Sequence, residues 1–322
     1  MNFPIQSYLP DASRMIYGCM GLGGGWNSNP VSNDDIQQAE KLIHLALESG
    51  INFFDHADIY TFGKAETAFG SVLKNTPSLR DRIILQSKCG IKLEDANGPQ
   101  RYDLSAAWIT SSVEDILKRL NTDYLEVLML HRPDPLMEPE AIADVFYKLL
   151  AAGKVKHFAV SNMNQHQIQY LDSFLDQPLI ANQLPMSLKE HDFVDDGILV
   201  GSKESSTTGF TPGLMEYSRL NKIQLQSWGS LAQGLFSGRD SSNESLPIQE
   251  TAQRVHQLAS EYQSSPEAIV LAWLMGHPAG IQPVVGTTHP DRLKASAQAV
   301  DVQLSRDHWY SLYQTARGKD LP

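Results

Sequence analysis

The stretch INFFDHADIY, residues 51–60, decides how the rest of the chain is read. Residues 51–54 form a short run dominated by bulky apolar side chains. Such a run reads as a strand buried on both faces, the pattern of parallel sheets. Polar groups follow at once: Asp55, His56, Asp58 and Tyr60. A buried strand that ends in clustered polar side chains is what an α/β barrel places at its catalytic face.

Seven further apolar runs lie to either side, at 16–20, 83–85, 125–130, 155–160, 179–181, 223–226 and 281–285. Amphipathic helical patterns separate most of them, at 34–49, 105–120, 138–152, 165–175, 249–262, 266–275 and 291–300. Eight strand candidates alternating with helices predict a single (β/α)8 TIM barrel over residues 1–322. It would have extended βα loops, a C-terminal tail and its active site at the C-terminal ends of the strands. A doubly wound open sheet is the competing arrangement. The segments SKESSTTG (202–209) and SGRDSSNESLP (237–247) lack apolar periodicity and read as surface loops.

Composition narrows the function. With 322 residues, 42% of them hydrophobic, the chain can bury a large core without covalent staples. A net charge of −11 leaves no broad basic face for nucleic acid or an anionic membrane, so an anionic ligand must be met by local donors. Cys19 and Cys89 form neither a disulfide framework nor a zinc spacing, and two free thiols fit a reducing compartment. The first residues lack a signal-peptide core, and nowhere do about 18 apolar residues run together. A cytoplasmic location is expected.

The residues that close the other runs are polar in their turn: Lys88, His131, Ser161 with Asn162, Asn182 with Gln183, and Trp228. A phenol beside an ammonium group is a proton donor of adjustable strength. At about 4 Å and an effective dielectric of about 20 the pair interacts by about 4 kcal/mol, enough to draw a phenol toward neutral pH. Tyr60 is therefore expected to act as general acid, with Lys88 lowering its pKa. Asp55 would hold Lys88 charged and aimed, and His131 would orient or polarise the oxygen that Tyr60 protonates.

At these residues the sequence resembles the aldo-keto reductases. The matching segments are INFFDHADIY (51–60), LQSKCG (85–90), LMLHRPD (128–134), FAVSN (158–162), ANQLPMS (181–187) and QPVVGTTHPDRL (282–293), in the family's order. The resemblance implies an NADPH-dependent reductase of aldehydes and ketones, with NADH a possible substitute, in which Tyr60, Asp55, Lys88 and His131 form the catalytic tetrad. It implies that Ser161, Asn162 and Gln183 hold the nicotinamide carboxamide and that Trp228 stacks on the ring where members often carry Tyr. Gly229, Ser230, Leu231 and Gln233 match the loop around the pyrophosphate. Gly286, Thr287, Thr288 and Arg292 match the binder of the adenosine 2′-phosphate. An anion at a helix start beside an Arg is physically sensible in so acidic a chain. The chain departs from the family at Gly286, where many members have Lys, and at Ala295 and Ser296, where members place an acid or amide.

The glycine run 21–25 fails the dinucleotide fingerprint, because Trp26 stands where the third glycine belongs and no helix follows at once. It is expected instead as a loop approaching the cofactor through Gly24, with Trp26, Tyr102 and Met163 lining the substrate mouth beside Tyr60 and Trp228. His56, Asp58, His131 and Asp134 have no metal-ligand spacing, and no metal is expected. Cys89 adjoins Lys88 and is read as packing rather than as a reactive thiol. Two other functions fit the same residues: an aldolase with Lys88 as Schiff-base nucleophile, and a barrel that binds NADPH and reports redox state to a partner, as the related potassium-channel β subunits do. The expected partner is a small carbonyl substrate, and no heptad specifies an oligomeric state.

Overall fold

A computed structural model describes residues 3–96 and 98–322. In chain order the elements are β1 (Ile16–Gly18), α1 (Asn33–Glu48), β2 (Phe53–Asp55), α2 (Lys64–Asn75), β3 (Ile84–Cys89), β4 (Ile91–Lys92), β5 (Arg101–Tyr102), α3 (Ala106–Leu120), β6 (Leu125–Leu130), α4 (Pro139–Ala151), β7 (Val155–Ser161) and α5 (Gln165–Asp172). They continue with β8 (Ala181–Pro185), α6 (Asp192–Ile198), α7 (Leu214–Leu220), β9 (Gln224–Trp228), α8 (Leu246–Glu261), α9 (Pro266–Met275), β10 (Gln282–Val285), α10 (Pro290–Ala297) and α11 (Arg306–Arg317). Eight strands close a parallel barrel in the order β1-β10-β9-β8-β7-β6-β3-β2, while β4 and β5 pair separately as an antiparallel hairpin. The fold is the expected (β/α)8 barrel, and the open sheet is excluded. Among the described residues no helix is long and apolar enough to cross a membrane.

The chain separates into two compact units, Ile5–Asn182 with Gly286–Thr288, and Gln183–Val285 with His289–Pro322. In the first, the parallel register runs Gly18↔Asp55, Asp55↔Gln86, Lys88↔Met129 and Leu130↔Val160. Every residue of β1, β2, β3 and β6 is buried, as strands covered on both faces require. Helix starts follow local chemistry. Ser32 and Asp35 form a reciprocal capping box on α1, and the Ser105 hydroxyl accepts the Trp108 amide at the start of α3. Helices α2 and α3 approach so closely that a Cβ on Gly70 would lie 2.0 Å from the Arg119 carbonyl oxygen, so only glycine fits.

Glu126 interrupts the apolar run of β6 for a structural reason. Its carboxylate accepts the Leu85 amide at 2.8 Å and the Arg80 guanidinium at 2.9 Å, and Arg80 also donates to the carbonyls of Ile83 and Tyr124.

In the second unit, α9 is apolar on all sides and almost wholly buried. It is joined to α11 by two stacked indoles, centroids 5.1 Å apart, each donating its N–H to the other's backbone: Trp273 Nε1 to Trp309 O at 3.1 Å, Trp309 Nε1 to Trp273 O at 2.9 Å. Asp195 accepts the Tyr313 hydroxyl and, at 3.1 Å, Arg317 Nε, which anchors the end of α11.

Strand ends differ from the sequence expectation where polar residues continue a strand. β3 runs on to Cys89 because Gln86, Ser87 and Lys88 each find a buried partner. β8 begins only at Ala181, so Asn182 and Gln183 lie inside it rather than after it, while β1 ends at Gly18 and residues 19–21 turn as a 3-10 helix. Helices α2, α6, α7 and α11 and the β4–β5 hairpin were not foreseen.

Candidate active site

Side chains alternate along β3. Gln86 and Lys88 meet Asp55 of the neighbouring β2: Gln86 Nε2 donates to Oδ1 at 2.6 Å, and Lys88 Nζ stands 2.6 Å from each carboxylate oxygen. Ser87 points the other way and donates to Glu66 of α2 at 2.6 Å, and Glu66 in turn accepts Arg119 Nε of α3 at 2.8 Å. Lys88 also donates to the His56 carbonyl and to the Tyr60 hydroxyl, both at 3.0 Å. Burial pulls the Lys88 ammonium down, but Asp55, Tyr60 and these hydrogen bonds outweigh it and the net pKa is raised. The cation is therefore fixed at neutral pH.

Tyr60 is delivered by an unusual turn. Beyond β2 the backbone stays tied to β3, His56 N donating to Gln86 O at 2.8 Å and Asp58 N to Lys88 O at 3.0 Å. Thr61, Phe62 and Gly63 then take φ of 48°, 61° and 81° in succession. Left-handed backbone at a β-branched and a bulky residue is strained, and such outliers cluster at functional sites. The turn is held by Thr61, whose hydroxyl donates to Leu22 O at 3.0 Å.

The expectation that Lys88 draws Tyr60 toward neutrality is not met. Burial raises the phenol pKa, Asp55 adds to it, and Lys88 offsets only part. Tyr60 therefore carries its proton throughout the neutral range. His131, at the end of β6, lies edge-on to Tyr60 with ring centroids 6.1 Å apart. Burial, then Lys88 and Arg132, hold its imidazole well below the ordinary value, so it is neutral. The structure thus brings Asp55, Lys88, Tyr60 and His131 together within one unit.

The neighbouring groups contribute differently. His56 is sealed against Phe69, and burial followed by Lys88 lowers its pKa to about 3. Burial and then Glu66 push Asp58 up to about 7. Cys89 and Cys19 have no exposed surface, and burial raises both thiols well above the usual range. Asp134 is occupied as an acceptor for the amides of Leu104 and Leu136.

The residues expected to hold a cofactor lie in both units. In the first, Asn162 closes β7 with φ 59°, and its Nδ2 donates to Ser161 Oγ at 2.7 Å and more weakly to His131 O at 3.3 Å. Gly24 takes φ 79°, and a Cβ there would lie 2.8 Å from the Asp35 carboxylate. Tyr17 donates to Thr287 O at 2.8 Å, and a Cβ on Gly21 would press on Thr288. In the second unit, Gln183 donates to Gln226 at 3.1 Å in a buried amide pair, and Trp228 ends β9 with 37% of its surface exposed. From Leu231 to Ala232, Gln233 and Gly234 the φ values run −97°, 46°, 56° and 78°. The turn is held by its own backbone, Ala232 N donating to Gly229 O and Gly234 N to Leu231 O, both at 2.8 Å. Ser230 is buried, its hydroxyl donating to Ser227 O at 2.7 Å, while Gly286 and Arg292 are exposed.

Of the expected substrate liners, Trp26 and Tyr102 are exposed, whereas Met163 is buried and its carbonyl accepts Asn182 Nδ2 at 2.8 Å. Sequence reasoning missed Gln86, Glu66, Arg119 and Phe62. Gln86 follows the apolar run 83–85 and Glu66 lies in a helix that the apolar pattern does not reveal, so neither signals its buried partner in the sequence.

Known proteins place these features in context. A profile of the Aldo/keto reductase family matches residues 14–316. An uncharacterized oxidoreductase, YcsN, of Bacillus subtilis is 34% identical, the match covering 96% of each chain. A 6-dehydroglucose reductase of Agrobacterium fabrum is 32% identical over 97% of this chain and 96% of its own. The crystal structure of an aldo/keto reductase from Klebsiella pneumoniae in complex with NADP and acetate has the same fold, with TM-score 0.72 and 21% identity over 97% of this chain and 93% of that one. The chain belongs to the aldo/keto reductase family, and that membership supports NADP(H)-dependent oxidoreductase activity in general terms.

Proposed function

We propose that the protein reduces small aldehydes and ketones to alcohols with NADPH, Tyr60 supplying the proton. The observation that carries this reading is the buried chain from Asp55 through Lys88 to the Tyr60 hydroxyl, with contacts of 2.6 and 3.0 Å. When bound, the reduced nicotinamide supplies the hydride to the carbonyl carbon. Tyr60 donates its phenolic proton to the carbonyl oxygen, so the developing alkoxide leaves as alcohol and the charge passes to the phenolate. Lys88, held cationic by Asp55, stabilises that phenolate. Neutral His131, whose ring packs against Tyr60, would orient the same oxygen.

Ser161, Asn162 and Gln183 would hold the carboxamide, Trp228 the ring face, and Gly229, Ser230, Leu231 and Gln233 the pyrophosphate. Thr287, Thr288 and Arg292, with Gly286, would favour the 2′-phosphate of NADPH over NADH. The Agrobacterium relative is named a 6-dehydroglucose reductase, a name consistent with the proposed reaction class.

The test follows NADPH oxidation with a reactive aromatic aldehyde in the wild type and in Tyr60→Phe. Loss of about 10²–10⁴-fold in turnover with NADPH binding retained is expected for removal of a general acid. Equal rates would remove Tyr60 from the role. Tight NADPH binding without turnover in either protein would favour the redox-reporting barrel.

A further inference from the structure

Two large aromatic side chains beside the Tyr60 turn stand in solvent. Phe62 is 56% exposed and Trp26 49%, and their rings meet edge to face with centroids 5.3 Å apart. Isolated exposed apolar residues are ordinary, but this pair is built. The loop carrying Trp26 is docked on the turn carrying Phe62 at three points. Thr61 Oγ1 bonds Leu22 O at 3.0 Å, Lys64 Nζ bonds Asn27 Oδ1 at 2.9 Å, and Gly23 packs so tightly that a Cβ would sit 2.5 Å from the Lys64 backbone. Both segments follow adjacent barrel strands, β1 and β2, so the pair lies at the end of the barrel from which Tyr60 projects.

Phe62 also occupies a position where its backbone is costly. At φ 61° and ψ 39° glycine would be unstrained, and a bulky side chain there is a genuine outlier. A phenylalanine that is strained, exposed and braced is poorly explained by folding, since its ring buries little. It is well explained as a contact surface.

We propose that Phe62, braced by Trp26, is a specificity-determining residue that selects carbonyl substrates carrying a ring next to the carbonyl. The proposal rests on the reductase reading above. A flat or saturated ring offers a broad apolar face to an aromatic edge-and-face pair, while a straight chain offers a narrow one and gives up more rotational freedom on ordering. Substrate reaching Tyr60 past this pair would have its ring held while the carbonyl meets the phenol.

The experiment compares cyclohexanecarbaldehyde with heptanal, which has the same carbon number, as kcat/KM in the wild type, Phe62→Gly and Phe62→Tyr. The ratio of the two substrates cancels changes common to both. Phe62→Gly should lower the ring-to-chain ratio about tenfold, the scale of one aromatic contact, and Phe62→Tyr should restore it. Because glycine relieves the left-handed strain, Phe62→Gly should melt no lower than the wild type, which separates lost recognition from lost folding. An unchanged ratio in a turning-over Phe62→Gly enzyme overturns the assignment of Phe62 alone. Absence of turnover on either aldehyde in the wild type overturns the reductase reading and this proposal with it.

Discussion

Lys88 and Asp55 form a buried ion pair: the ammonium lies 2.6 Å from each carboxylate oxygen, and both side chains are buried. Neither charge would be tolerated there alone, because an uncompensated buried charge costs about 3–5 kcal/mol. The pair is therefore one unit, and its third contact is the Tyr60 hydroxyl.

Removing either partner should cost both stability and rate. Lys88→Met leaves Asp55 facing apolar surroundings and takes away the cation that receives phenolate charge. Turnover should fall by about 10²–10³-fold, the scale of one lost electrostatic stabiliser, with NADPH affinity measured by fluorescence titration little changed. Asp55→Asn keeps the shape but turns one accepting oxygen into a donor and leaves the ammonium uncompensated, so turnover should fall there too. A Lys88→Met enzyme within twofold of wild-type turnover would contradict this role.

Asp58 gives a pH signature of known sign. Its carboxyl is raised to about 7 by burial and then by Glu66, with Arg119 and hydrogen bonds to Ile59 and Ser112 opposing. The folded state therefore holds a proton that the unfolded chain releases near pH 4. Stability from this group is full below about pH 4 and declines as pH rises through 7. Asp58→Asn removes the titration and should stabilise the protein by about 2 kcal/mol above pH 8 relative to its effect at pH 5. Denaturant titrations at the two pH values, compared with wild type, check the difference. A parallel shift at both pH values would rule out Asp58 as the titrating group.

Glu126 should matter to folding and not to chemistry. Glu126→Ala strands the mostly buried Arg80 guanidinium and leaves the Leu85 amide without its acceptor. A loss of about 3–5 kcal/mol is expected, read as a lower urea midpoint at unchanged slope. The kcat of the folded protein should remain within twofold of wild type.

Trp309 closes the reciprocal indole pair with Trp273. Trp309→Phe preserves a ring but removes one donor, and should cost about 1–2 kcal/mol; Trp309→Ala also opens a cavity and should cost about 3–5 kcal/mol. Chemical denaturation of the two variants side by side separates the hydrogen bond from the packing.

The barrel was legible because its strands are buried on both faces, and each of the eight apolar runs overlaps an observed strand. What failed was the assumption that a strand stops where apolar residues stop. Lys88, Asn182 and Gln183 are strand residues whose polar groups are satisfied inside the barrel wall, and pattern alone cannot see such partners. Helix α2 went unrecognised partly because buried Glu66 breaks its apolar stripe, its charge answered by Arg119 far along the chain. The cluster of Asp55, Lys88, Tyr60 and His131 was legible from position after each strand. The direction of the Tyr60 pKa was not, because how far burial opposes Lys88 is set by the fold.

The two cysteines acquire a use from their isolation. Cys89 ends β3 beside Lys88 and Cys19 follows β1, each without exposed surface and each kept protonated by its surroundings. A thiol reagent can reach either sulfur only when these strands part from their neighbours. The rate of labelling is therefore a clock for opening of the barrel wall itself, running in the intact protein without any engineered probe.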